Sequence, residues 1–261
     1  MSGADEVWTI GRLLKWTADF LAARNADSPR LDAEVLLAHA LGCRRIELYT
    51  RFDEVPPEPQ RAAFRELVKQ RSSGMPVAYL VGHREFYSLP FRVTPDVLIP
   101  RPETELLLVR LLDLAKGRQL VEGESLQIAD VGCGSGILAV CAARSLAGAR
   151  ITAIDISGKA LAVARDNAAA LGAERIEFVE SDLFAAVPAQ ERYDFIVSNP
   201  PYLGTAELAA AMVDVRKFEP RVALEAGPSG TEIIERLVVQ AAERLLPGGW
   251  LLVEISPMIE P

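Results

Sequence analysis

The stretch ADVGCGSGILA, residues 129–139, joins a strand-like apolar run to a helix-like one through Gly132, Gly134 and Gly136. Glycine at such a junction lets the backbone turn sharply and come close to a ligand. The first turn of the following helix then offers N–H groups with no partner inside the helix. The spacing alone leaves the ligand open. The dinucleotide fingerprint G-x-G-x-x-G fails from Gly132, where its last position is Ile137, but a relaxed form ending in Ala139 matches from Gly134.

Outward from this loop the chain alternates. Helical periodicity at 103–117, 137–148, 159–172 and 231–246 is interrupted by apolar runs at 126–132, 150–157, 176–183, 193–199 and 249–256. Runs that are apolar on both faces, with helices between them, predict a mainly parallel sheet covered on both sides. Such sheets bind ligands outside the carboxyl ends of their strands. Asp155 closes the second run, 19 residues after Gly136, where a carboxylate can accept from both hydroxyls of a ribose. Asp182, with apolar Leu183 beside it, ends the third run and is placed to meet a nucleobase. The full D-x-G-x-G-x-G pattern from Asp130 resembles motif I of S-adenosylmethionine-dependent methyltransferases.

The fourth run ends in YDFIVSNPPYLG, residues 193–204. Neither Pro200 nor Pro201 can donate to a ladder, and each restrains the residue before it to extended geometry. The result is a stiff loop with fixed carbonyls. The Asn199 side-chain oxygen and the Pro200 main-chain oxygen form a pair of acceptors suited to the two hydrogens of a planar –NH2 group, with Tyr202 able to pack against its plane. An amide and an exocyclic amine fit equally at this point.

The N-terminal part reads differently. Residues 1–75 show helical spacing (Ile10, Leu13, Leu14, Thr17, Leu21, then Leu31, Val35, Leu36, His39, Ala40), with Ser28-Pro29 as a helix start and Gly42 as a stop. His39 reads as a packed histidine. Residues 76–102, broken by Gly82, Pro90, Pro95, Pro100 and Pro102, predict a hairpin and an extended connector, and residues 103–261 the α/β domain.

These motifs together resemble the HemK/PrmC family, the peptide chain release factor N5-glutamine methyltransferases. The resemblance rests on LIPRPETE (98–105), DVGCGSG (130–136), AIDIS (153–157), SDLF (181–184) and SNPPY (198–202), preceded by a helical region and PVAYLVGHREFYSLPFRV (76–93). It implies a Rossmann-like class I S-adenosylmethionine-dependent methyltransferase domain with a small N-terminal helical domain that helps recognise the substrate. It implies transfer of methyl to the glutamine amide in the Gly-Gly-Gln motif of release factors. Asn199, Pro200, Pro201 and Tyr202 would hold the glutamine, with Asn199, Pro200 and Tyr202 serving catalysis. Gly132, Cys133, Gly134, Ser135, Gly136, Asp155, Asp182, Leu183 and Asn199 would hold S-adenosylmethionine. The family continues past the fifth strand with a helix and an antiparallel strand pair, which the ending LLVEISPMIEP lacks. Other readings of the same residues are a ribosomal-protein glutamine methyltransferase, an adenine-N6 nucleic-acid methyltransferase and a non-catalytic cofactor-binding module.

Composition weighs on these choices. A net charge of -8 over 261 residues disfavours affinity built on neutralising phosphates, so no direct nucleic-acid binding is expected. No apolar run is long enough to span a bilayer, and the start lacks a basic region of the kind that precedes a secretory segment, so a cytoplasmic, non-membrane protein is expected. Cys43, Cys133 and Cys141 match neither a disulfide framework nor a zinc site and read as free thiols; no metal site is expected.

Overall fold

The computed structural model describes residues 7–118 and 124–255, and the chain divides into two compact units at Gly82 and His83. In the first unit, α1 (Ile10–Ala22) begins where the Thr9 hydroxyl accepts from the Arg12 N–H at 3.3 Å. Ile10, Leu13, Leu14, Thr17 and Leu21 form its buried stripe, and α2 (Pro29–Leu41) ends at Gly42 in the left-handed region, with φ 64°. Then follow α3 (Glu47–Thr50), α4 (Glu58–Ser72) and α5 (Val77–Val81). Leu14, Leu36, Leu37, Leu48 and Phe64 are buried in one core, and each large apolar side chain so buried is worth about 1.5–3 kcal/mol. His39 does not pack there: it is exposed in the last turn of α2. Residues 77–81 are helical although their apolar, β-branched composition reads as extended. Five residues are too few to display a 3.6-residue period.

In the second unit β1 (His83–Phe86) and β2 (Leu89–Arg92) form an antiparallel hairpin whose turn residues Tyr87 and Ser88 both have positive φ, the backbone that two-residue hairpins require. The chain continues as α6 (Thr104–Lys116), β3 (Gln127–Val131), α7 (Ile137–Ser145), β4 (Arg150–Asp155), α8 (Gly158–Ala170), β5 (Ile176–Glu180) and β6 (Tyr193–Ser198). Next come β7 (Leu203–Gly204), α9 (Thr205–Ala210), α10 (Val213–Phe218), β8 (Glu225–Gly227), α11 (Glu232–Arg244) and β9 (Leu245–Val253). The main sheet is all parallel in the order β5-β4-β3-β6-β9. From β3 the chain winds outward through β4 and β5, then returns to place β6 on the other side of β3. The reversal leaves a crevice at the carboxyl ends of β3 and β6, where open α/β sheets bind their ligands. Every residue of β6 is buried, which explains its unbroken apolar run. Register between β6 and β9 jumps from Tyr193↔Leu245 to Phe195↔Trp250. Gly248, at φ 73°, lies in that bulge, so β9 starts before the expected residue 249.

Candidate active site

The glycine loop is held by its neighbours rather than by its own side chains. Gly132 and Cys133 donate to the Ile154 carbonyl at 2.8 and 3.0 Å, and the Gly136 N–H closes the turn on Cys133 O at 2.8 Å. From α8, the Asn167 side chain donates to Ser135 O at 2.8 Å and accepts from Arg92 N at 2.7 Å, tying the loop to β2. Gly136 has φ 80°, and a Cβ there would lie 3.1 Å from the Ala164 Cβ. Its glycine is required for turning and for helix packing. Gly134, at φ 54°, has no heavy atom within 4 Å of where a Cβ would stand, so that face of the loop is open.

Asp155, 9% exposed, accepts from Gly134 N at 2.8 Å through Oδ2 and from Ser157 N at 2.9 Å through Oδ1. Each oxygen retains a further lone pair for a ligand donor. Burial raises its pKa above the ordinary carboxylate value, opposed by these backbone N–H groups.

One strand over, the Ser198 hydroxyl donates to Val131 O at 2.7 Å. A Cβ on Gly132 would stand 4.0 Å from Asn199 O. The glycine loop and the Asn-Pro-Pro loop therefore abut, and both line one cavity of about 200 Å³. Its walls include Gly132, Gly134, Ser135, Asp155, Asp182, Leu183, Asn199, Pro200 and Pro201. Cys133, Gly136 and Tyr202 are absent from that lining: Cys133 packs in the hydrophobic core, where burial raises its thiol pKa far above the usual value. Asp182 is half exposed and paired with Arg236 at 2.7 Å. Leu183 has φ 51°, a left-handed conformation that is costly for a branched residue.

Other residues support the site, two of them within the segment 98–105 that carries the family resemblance. Thr104 opens α6, is fully buried, and accepts from Asn199 Nδ2 at 3.2 Å. Arg101 reaches the buried Glu219 at 2.6 Å, so the segment before α6 is pinned by a partly buried ion pair. Glu254 follows β9, and its N–H donates to Ser198 O at 3.0 Å. Burial raises the pKa of its carboxyl, opposed by the neighbouring Thr104 and Asn199 side chains.

Asp130, at 1% exposure, accepts from Ala139 N at 2.9 Å through Oδ2, while Oδ1 is buried with no partner. Burial pushes its pKa up to about 7, opposed by the Ala139 N–H and reinforced by the charge of Asp155. The folded chain thus keeps a proton that an unfolded aspartate releases near pH 3.9. This raised pKa contributes stability that is complete below the unfolded value and is lost as pH rises toward about 7. In thermal melts of the ligand-free protein between the unfolded value and neutrality, Asp130→Asn is expected to rise relative to wild type as pH increases. Parallel curves would show that Asp130 does not titrate in that range.

Among the described residues no helix is long and apolar enough to cross a membrane, and no group of three or more His, Cys, Asp or Glu is arranged to hold a metal ion.

Comparison with known proteins agrees with this architecture. Residues 12–82 match the description "PrmC N-terminal domain" and residues 104–216 match "Methyltransferase small domain". The chain is 52% identical to the release factor glutamine methyltransferase of Rhodopirellula baltica over 256 residues, 98% of this chain and 86% of that protein. It is 44% identical to the protein of the same name from Chlorobaculum tepidum, covering 96% of this chain and 86% of that one. It is 40% identical to that of Geobacter sulfurreducens, covering 98% and 87%. With identity of this order sustained along nearly its whole length, the chain belongs to the release factor glutamine methyltransferase family.

Proposed function

We infer that this protein transfers a methyl group from S-adenosylmethionine to the side-chain amide nitrogen of the glutamine in the Gly-Gly-Gln motif of a release factor. The observation that carries the reading is the junction of two loops at one cavity. One presents an open glycine face and a buried acid, the other an Asn side chain beside a Pro carbonyl. The fit to the cofactor rests on Gly134, whose face is clear of protein atoms, and on Asp155, whose carboxylate can accept from a ribose diol. Asp182 and Leu183 would flank the adenine.

S-adenosylmethionine supplies a methyl already activated on sulfur, which leaves as a neutral thioether, so no general acid is required. The chain's residues have a different task. An amide nitrogen is a weak nucleophile because its lone pair is delocalised, and Asn199 Oδ1 with Pro200 O would accept its two hydrogens and hold the nitrogen in line. Such positioning supplies about 7–11 kcal/mol. As the C–N bond forms, one of these N–H protons is released. Tyr202, which follows the prolines, would steady the amide plane. The helical unit would contact the release factor, and the reaction would take place in the cytoplasm, where such factors act.

Incubation with labelled S-adenosylmethionine and, separately, a release factor, its Gln-to-Ala variant, ribosomes and DNA tests the reading. Label is expected on the release factor and not on its variant. Label on DNA alone would overturn it.

A further inference from the structure

The helical unit holds a cavity of its own. Its volume is about 410 Å³, and its walls, drawn largely from α1 and α4, include Trp8, Trp16, Phe20 and Phe64. Trp16 stacks on Phe20 with ring centroids 4.8 Å apart and planes 16° apart, and Trp8 meets Trp16 edge-on at 6.2 Å. Phe64 belongs to the core, but Trp16 is 48% exposed. Aromatic surface is thus available at a cavity whose size is that of a small-molecule site.

The charged groups of this lining are of one sign. Arg61, Arg65 and Lys69 are spaced by four on α4 and so share one side of it, and among the described lining residues there is no acid. Their partners, Glu58 at 2.7 Å from both arginines and Glu66 at 3.7 Å from Lys69, stand outside the lining. In a chain of net charge -8 such a lining selects an anion. Two further atoms say where its charge would sit. The Arg61 guanidinium is bonded to Glu58 through Nη2, while its Nε is buried with no partner. Thr17 is 0% exposed and its Oγ1 also has no partner, although a helical threonine can return its hydroxyl to the carbonyl one turn back. Both residues line the cavity. Buried donors without acceptors are uncommon in folded proteins, because each has given up its hydration for nothing. A carboxylate supplies both acceptors at once, one oxygen for the Nε–H and one for the hydroxyl. A flat apolar body attached to it would cover the aromatic wall.

We propose that this cavity is a binding site for a small aromatic monocarboxylate, with Arg61 and Thr17 holding the carboxylate and Trp16 the ring. The site stands apart from the methyl-transfer reading and uses none of the residues assigned to it.

Isothermal titration of the full chain with indole-3-acetate, and with its neutral analogue indole-3-acetamide, tests the proposal. One molecule of the acid is expected to bind per chain and the amide to bind about 10-fold more weakly, the scale of a hydrogen bond to a charged group. Thr17→Val keeps the shape and removes a hydroxyl that has no partner, so the melting temperature is expected to hold or rise while affinity for the acid falls about 10-fold. Arg61→Lys keeps the charge and loses the Nε–H, and the preference for acid over amide is expected to shrink with it. Trp16→Ala is expected to weaken both ligands alike. Affinity for S-adenosylhomocysteine is expected to be unchanged in all three variants. No saturable binding of the acid to wild type, equal affinity for acid and amide, or undiminished affinity for the acid in both Thr17→Val and Arg61→Lys would overturn the proposal.

Discussion

Asn199→Ala is expected to lower the rate of methyl transfer by about 10³-fold, the upper range for removing one preorganised polar group from a reacting centre, with affinity for S-adenosylhomocysteine retained. The separation of the two effects follows from the geometry. The glycine loop takes its shape from Ile154 O, Asp155 and Asn167, and none of these contacts passes through the Asn199 side chain. That side chain is bonded to Thr104, and its loss leaves the strand end held by Ser198 to Val131. Truncation thus removes one of two acceptors for the substrate amide and leaves the Pro200 carbonyl in place. Single-turnover labelling of a release factor, with cofactor affinity measured in parallel, checks it. Near-normal turnover in the variant would show that Asn199 serves the fold alone.

The parts legible in the sequence are those whose physics is local. Gly132, Gly134 and Gly136 have positive φ, a demand that glycine meets without strain and that therefore leaves a visible mark. Strand β6 announces itself because all of it is buried. Sequence reading also brought Asp155, Asn199 and Pro200 to one place by a rule of topology, and they do line one cavity.

What stayed hidden depends on contacts between distant segments. Thr104 and Glu254 stand 95 and 55 positions from Asn199, and neither carries a local signal for the role its neighbours give it. Glu219, which pins Arg101, is a further case. The pair β7 and β8 and the short helices between them are built from pieces of two to six residues, below the length at which periodicity can be read. The motif places Gly136 beside the ligand. Its contact with Ala164 adds a packing demand for the same residue type, which the motif does not display.

The second large effect concerns Asp155. Asp155→Asn is isosteric, yet it is expected to weaken S-adenosylhomocysteine binding by about 10²-fold, the equivalent of one or two hydrogen bonds to a charged acceptor at roughly 1.5–3 kcal/mol each. Both oxygens of Asp155 already receive backbone N–H groups, Gly134 N on Oδ2 and Ser157 N on Oδ1. An asparagine has one acceptor, so its NH2 must face one of these donors whichever way it turns. The variant therefore disturbs the glycine loop as well as losing the charge that receives the ribose, and a lower melting temperature accompanies the weaker binding. The wild type carries a further signature. Burial raises the Asp155 pKa, so the charged acceptor form is lost at a higher pH than for an ordinary aspartate as pH falls. Cofactor affinity is expected to decline with it, and the decline is expected to flatten in Asp155→Asn. Isothermal titration of S-adenosylhomocysteine into both proteins across that acid range decides the matter: equal affinities at neutral pH would reduce Asp155 to a clamp for the loop, with no part in holding the ribose.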